Sequence, residues 1–224
     1  MARPTYPRAH EPLPAPLPPE TRTVGQLVAE TIKLYGDRFF AALPLGAAVG
    51  VLDVVEFRHS LVTQTVLQWA FAPVLTAAYV RGAAIVTGAQ VTRRSAVNAF
   101  VAGLIVFAPF PVLFRIFVLP GLALFALFGL AVPAALVERL DVRAALRRGL
   151  ELGRADFGHA LGGVFTLALV YILSRYALLF LLRTQSDQTQ QVAGFLADLV
   201  LAPLVFLGPA LLYGDQVARA NRSD

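Results

Sequence analysis

Between Phe39 and Tyr213 the chain is a succession of six apolar runs, each about as long as the 20 residues a helix needs to cross a bilayer, joined by short connections. They fall at about residues 39–57, 61–80, 99–118, a fourth ending near 137, then 157–182 and 192–213. Only 15% of the 224 residues are charged against 57% hydrophobic, and the mean hydropathy is +0.67. A soluble domain keeps roughly a quarter of its residues charged, so this composition fits lipid as the solvent. Six spans consume about 120 residues, which leaves no room for a second folded domain. The expected fold class is all-α, a polytopic membrane bundle of six transmembrane helices with two or three interfacial amphipathic helices.

The segments outside the spans give the organisation: a tail at 1–21, a membrane domain at 22–219 and a short tail at 220–224. Pro4, Pro7, Pro12, Pro14, Pro16, Pro18 and Pro19 disfavour helix and predict extended, solvated chain. The tail lacks the apolar run of a signal peptide, so no cleavage is expected. Its two PxxP pairs, Pro4 with Pro7 and Pro16 with Pro19, read more simply as linker than as ligands for an aromatic groove. Thr23 and Gln26 have capping-box spacing ahead of a helical stripe of Val24, Leu27, Val28, Ile32 and Tyr35. Asp141 is the N-cap expected for a second surface helix, with Val142, Leu146 and Leu150 on one face. Residues 24–43 overlay 142–161, with Leu34 on Leu152 and Phe39 on Phe157, suggesting three units of surface segment plus helical hairpin. Pro120 and Gly121 punctuate the chain before the fourth span. Prolines at 44, 73, 109, 111, 133, 203 and 209 predict kinks.

Basic residues sort to one side of the bundle. Arg22, Lys33, Arg38, Arg81, Arg93, Arg94, Arg139, Arg143, Arg147, Arg148, Arg154, Arg219 and Arg222 share the side of the termini, against Arg58, Arg115 and Arg183 opposite. The positive-inside rule then predicts that both termini are cytoplasmic, as an even number of spans requires. Cysteine is absent, which excludes disulfides, thiolate nucleophiles and zinc-thiolate sites.

Candidate chemistry sits inside the spans. Arg175 and Asp198 each fall roughly 10 Å below the end of their span opposite the termini. A lone charge there is costly, by about 2.5–3.5 kcal/mol at mid-membrane, so the two are predicted to form an ion pair. Asp53, Glu56 and Arg115 lie near the same end and complete a possible polar cluster. It reads either as a small cavity for an ion or anionic headgroup, or as a structural clasp with snorkelling side chains. Glu56-Phe-Arg-His59 is half of a di-metal E-x-x-H site, but Asp156-Phe-Gly-His159 falls on the opposite side, so no metal is expected. Arg143, Arg147, Arg148 and Arg154 give the second surface helix a basic face for contact with anionic lipid, unless that helix only fixes topology. GxxxG spacing at Gly46 and Gly50 and at Gly158 and Gly162 marks helix packing. No nucleophile–base pair, zinc-helix motif or phosphate-binding glycine loop occurs, so neither an enzyme nor a cofactor is expected. The expected partners are membrane lipids and another membrane protein or a second copy; nucleic acid is not among them.

Pro120-Gly121, Ala131-Val132-Pro133-Ala134, Glu138-Arg139 and Ala144-Ala145-Leu146-Arg147-Arg148-Gly149 before Phe157 occur in an order that resembles the bacterial glycerophosphoryl diester phosphodiesterase membrane-domain family and its uncharacterised relatives. Thr23-Val24-Gly25 near the start and Leu212-Tyr213-Gly214-Asp215 to Arg219 near the end extend the resemblance over nearly all of 22–219. Gly149 departs from the serine more usual there. In the named enzymes the histidine and carboxylates of catalysis sit in a separate domain. The resemblance therefore implies a multi-pass bacterial plasma-membrane scaffold or lipid-interacting module without hydrolytic activity, the alternative being a small-solute or ion transporter or channel.

Overall fold

The computed structural model describes residues 18–223. Most of the proline-rich tail, including the Pro4–Pro7 pair, lies outside the described residues. Pro19–Thr21 is a single 3₁₀ turn packed on the last helix, so the tail's final residues are not extended. Proline is tolerated there because the first residues of a helical turn have no use for their N–H.

Ten α-helices follow, with no strand among the described residues. Helix α1 (Val24–Asp37) opens on the expected box: Thr23 accepts from Gln26 N, and the Gln26 side chain accepts from Thr23 N. One residue, Arg38, separates it from α2 (Phe39–Glu56), which pairs with α3 (Leu61–Thr87). Helix α3 runs seven residues past the expected end at 80 and stops at Gly88, whose φ of 62° supplies a left-handed cap.

The third and fourth spans are each broken in two. Helices α4 (Arg93–Phe107) and α5 (Phe110–Ile116) make the third; α6 (Val118–Phe128) and α7 (Ala131–Val137) make the fourth. Broken backbone at membrane depth must find partners within the protein. Here α3 provides them, since Trp69 Nε1 donates to Ala108 O at 2.8 Å and the fully buried Tyr79 hydroxyl donates to Gly129 O at 3.0 Å. The chain reverses at the single extended residue Phe117, not at Pro120-Gly121. Pro120 instead lies in the first turn of α6, where its missing N–H costs no helical bond.

Asp141 caps α8 (Val142–Ala155), accepting from Ala144 N at 2.8 Å. One residue later α9 (Phe157–Leu181) begins, and α10 (Asp187–Ser223) closes the bundle. The overlay predicted between 24–43 and 142–161 holds in the helices. Both surface helices have 14 residues, and both give way after one residue to a span that opens on phenylalanine.

Six segments are long and apolar enough to cross a membrane: Phe39–Glu56, Leu61–Thr87, Arg93–Ile116, Val118–Val137, Phe157–Leu181 and Asp187–Arg222. The fold is thus an all-α bundle of membrane-span-like helices. Helix α10 forms its axis, packing chiefly on α2 and α9 and also on α3, α1 and α8. It stays helical through Pro203 and Pro209 and on through the expected short tail as far as Ser223. Helix α8 is more than a surface helix. Its small residues Gly149 and Gly153 fit against the break between α6 and α7, where a Cβ at Gly149 would lie 2.7 Å from Ala131 N. The absence of a side chain at Gly149 is what lets the helix lodge so closely.

Candidate functional site

At the end of the bundle away from the termini, side chains from α2, α3, α5, α9 and α10 converge. The predicted ion pair is present: Arg175 Nε donates to Asp198 Oδ1 at 2.9 Å. The other arm of the guanidinium binds Asp53 Oδ1 across from α2, so one arginine holds two carboxylates. The Tyr171 hydroxyl, one turn before Arg175 on α9, donates to the same Asp198 oxygen at 2.6 Å. Asp198 is fully buried and Arg175 nearly so, with side chains 0% and 14% exposed.

Glu56 forms a neighbouring group. Gln68 Nε2 donates to its Oε2 at 3.2 Å, and Gln64 Nε2 donates to its backbone oxygen at 3.3 Å. Arg115 reaches Gln64 Oε1 at 2.7 Å. The five predicted residues therefore share one end of the bundle but not one contact: Arg175 joins Asp53 and Asp198, whereas Arg115 is held by Gln64 rather than by a carboxylate. His59 does not continue the line of Asp53 and Glu56, because α2 ends at Glu56 and Arg58 turns the chain with a φ of 63°. Among the described residues no three acidic or histidine side chains are placed to hold a metal ion.

A cavity of about 460 Å³ opens beside this network. Its polar wall is Gln68, Tyr171 and Arg175, and its apolar wall includes Phe107, Phe110 and Phe114. The three phenylalanines, with Tyr171, also line a smaller chamber of about 190 Å³ that extends inward to Phe125 and Phe206 and is almost wholly apolar. Tilted ring pairs set these walls, with Phe107 and Phe110 centroids 5.4 Å apart and Phe110 and Phe114 centroids 5.2 Å apart. The arrangement offers an apolar slot with hydrogen-bonding groups at one end.

A second polar network, at the termini end, ties the surface helices down. Arg22 Nη1 bonds the fully buried Asp215 at 2.5 Å, and His159 Nε2 lies 3.4 Å from its other oxygen. Arg219 Nη1 donates to Asp156 Oδ2 at 2.7 Å, while Gln216 donates to Asp156 O. The Tyr213 hydroxyl and Arg148 Nε both donate to Glu138 Oε1, at 2.8 and 3.1 Å. Burial works against the Arg148 charge, yet the hydrogen bond and negative charge of Glu138 outweigh it and raise its pKa. Of the four arginines assigned to lipid, Arg148 is therefore tied inward. Arg147 pairs with Glu151 on the surface, and Arg143 and Arg154 are exposed.

Sequence reasoning missed Tyr171, Gln64, Gln68 and Asp215. The first three carried a signal in their four-residue spacing: Tyr171 precedes Arg175 by one turn, and Gln64 precedes Gln68 by one turn. No family model, curated protein or solved structure matches the chain.

Proposed function

We propose that the chain is a non-catalytic, lipid-interacting membrane module that holds the apolar part of an amphiphile in the cavity between α3, α5 and α9. The observation that carries this reading is the cavity's polarity gradient, from Gln68, Tyr171 and Arg175 at one end to the phenylalanine-lined chamber at the other. Binding sites for small amphiphiles are concave and mostly apolar, with a few placed polar groups that fix orientation. Lipid analysis of protein purified in mild detergent tests it. A lipid retained by the native chain and lost from Ala72→Phe, which fills the cavity, supports the reading; equal retention by both chains overturns it.

Two further parts belong to the proposal. The termini face the cytoplasm of a bacterium, which the sorting of arginines supports, and Arg143 and Arg154 meet anionic headgroups there. Reporter fusions at Ser95 and Asp187 should then fall in opposite compartments. Kinship with the glycerophosphoryl diester phosphodiesterase membrane domain is part of the same proposal and rests on the order of the resembling sequence motifs; of their residues, Glu138, Arg148, Tyr213, Asp215 and Arg219 belong to the network at the termini end. A small-solute or ion transporter is the second reading, favoured by the break in the third span beside the polar cluster.

A further inference from the structure

Arg81 stands about 9 Å inside the termini end of α3, which continues to Thr87. Arg115 and Arg175 are held by Gln64, Asp53 and Asp198. Arg81 is exposed and, among the described residues, has neither a hydrogen bond nor an ion pair. The helices packed on α3 bring it no free carboxylate. Asp53 and Glu56 lie at the far end of α2, α4 carries only Arg93 and Arg94, α5 carries only Arg115, and α7 is uncharged. The three carboxylates of α10, Asp187, Asp198 and Asp215, are each bonded to another arginine. Glu138, just after α7, is bonded to Arg148 and Tyr213, and Asp37, at the end of α1, has Arg38 beside it in the chain. A guanidinium within a span is costly without a counter-charge.

Two grooves on the outer face of the bundle meet at this residue. One, of about 610 Å³, runs between α2 and α3 past Phe40, Pro44 and Val74; the other, of about 400 Å³, runs between α3 and α4 past Val97 and Phe100. Among the described residues Arg81 is the one side chain that lines both, and every other side chain in either groove is apolar. We infer that Arg81 binds the phosphate of an anionic two-chain phospholipid whose acyl chains lie in the grooves on either side of α3. A guanidinium matches phosphate oxygens with paired N–H donors, and the groove walls give each chain an apolar bed. Net negative charge on the headgroup is favoured because the exposed charges nearest along α4, Arg93 and Arg94, are also positive. The site is separate from the cavity at Gln68 and Ala72, which lies toward the other end of α3, and does not rest on that reading.

Native mass spectrometry of the full chain in a neutral detergent tests this, with phosphatidylglycerol, phosphatidylcholine and lysophosphatidylglycerol as probes. The expected result is one phosphatidylglycerol held about fivefold more tightly than phosphatidylcholine, the gain from one near-surface charge, with the single-chain probe weaker than its two-chain counterpart. Arg81→Gln should abolish the headgroup preference and Arg81→Lys should keep it. Arg143→Gln, which removes an exposed arginine elsewhere at the termini end, and Ala72→Phe, which fills the other cavity, should both leave it unchanged. Ala77→Phe, which enters the α3–α4 groove from its exposed edge, should weaken the two-chain lipid toward the single-chain one, and it stands in if Arg81→Gln does not fold. A preference for phosphatidylglycerol that survives in Arg81→Gln, or that falls as far in Arg143→Gln, overturns the inference. Loss of the preference in Ala72→Phe overturns a site separate from the cavity. Displacement of the lipid by millimolar inorganic phosphate would show an anion held without help from the grooves and overturns the two-chain assignment. A dimer of the parent that Arg81→Gln abolishes gives the grooves to a second copy of the chain and overturns the lipid.

Discussion

A Cβ at Gly46 would lie 2.2 Å from the carbonyl oxygen of Leu199, so α2 and α10 meet backbone to backbone. Gly50 continues the contact against Phe195, and about one turn further Asp53 reaches Arg175 beside Gly194. The first GxxxG pair is thus spent on packing inside the chain, and that packing sets the depth at which the carboxylate meets the guanidinium. Gly46→Val should cost about 1–3 kcal/mol, the usual range for overpacking, and should loosen the Asp53 contact with it. Gly158, of the second pair, has only its own cap Asp156 nearby, at 3.6 Å. Gly158→Ala should stay within about 0.5 kcal/mol of the parent. Thermal unfolding in one detergent compares the two; equal losses would show that the close approach at Gly46 contributes nothing particular.

The two partners of the central ion pair should not be equivalent. Arg175→Gln leaves Asp53 and Asp198 without their shared cation, and stranding a buried charge typically costs about 3–5 kcal/mol. Asp198→Asn leaves Arg175 paired with Asp53 and keeps an oxygen for the Tyr171 hydroxyl, so its loss should be nearer the 1–3 kcal/mol of one charged hydrogen bond. Combining both changes should recover stability relative to Arg175→Gln alone, because only the partly exposed Asp53 then lacks a partner. Chemical unfolding of the three variants reads the order. Were Asp198→Asn the most damaging of them, the cluster would not be balanced around the arginine.

What was legible in the sequence follows from where lipid leaves no alternative. Arg175 and Asp198 could be paired from sequence because two opposite charges at one depth have few other places to go. The caps at Thr23 and Asp141 were legible because a helix beginning outside the membrane must satisfy its first N–H groups. Tyr171, Gln64 and Gln68 were not, since an uncharged polar side chain in a span is tolerated on several faces and spacing alone does not choose among them. Asp215 escaped for the opposite reason: a carboxylate near a membrane boundary is ordinary until tertiary packing buries it against Arg22. The reversal at Phe117 was misplaced to Pro120-Gly121 because a proline that starts a helix and a proline that ends one look alike without the neighbouring helix. The lodging of α8 in the α6–α7 break is a tertiary fact, visible only once Gly149 and Ala131 are side by side.

The basic face of α8 divides by partner. Arg143 and Arg154 are exposed, so Arg143→Gln with Arg154→Gln should lower binding to anionic vesicles by about 1 kcal/mol for each charge and leave unfolding unchanged. Arg148 is bonded to Glu138, so Arg148→Gln should do the reverse, destabilising the fold with little effect on vesicle binding. Reconstituted protein titrated with neutral and anionic vesicles separates the two effects. Loss of vesicle binding from Arg148→Gln as large as from the double change would mean that the division does not exist.

Tyr35, at the end of α1, supplies a pH dependence whose sign is fixed by its surroundings. Its side chain is 8% exposed against the Phe39 ring, 5.3 Å between centroids, and its hydroxyl has no hydrogen-bond partner. Burial disfavours the phenolate and raises the pKa above its ordinary value of 10.0. The unfolded chain therefore releases this proton first as pH rises. The stability that the neutral ring contributes is complete below pH 10 and is lost through the interval above it, up to the raised folded value. Tyr35→Phe keeps the ring, removes an unsatisfied hydroxyl and removes the titration. It should be as stable as the parent or about 1 kcal/mol more so at pH 7. Its advantage should grow as pH climbs beyond the ordinary tyrosine range. The measurement is the difference in unfolding midpoint between parent and Tyr35→Phe across neutral and alkaline buffers, which cancels the titration of the other tyrosines. A difference that stays constant or shrinks with rising pH would place the hydroxyl in contact with water.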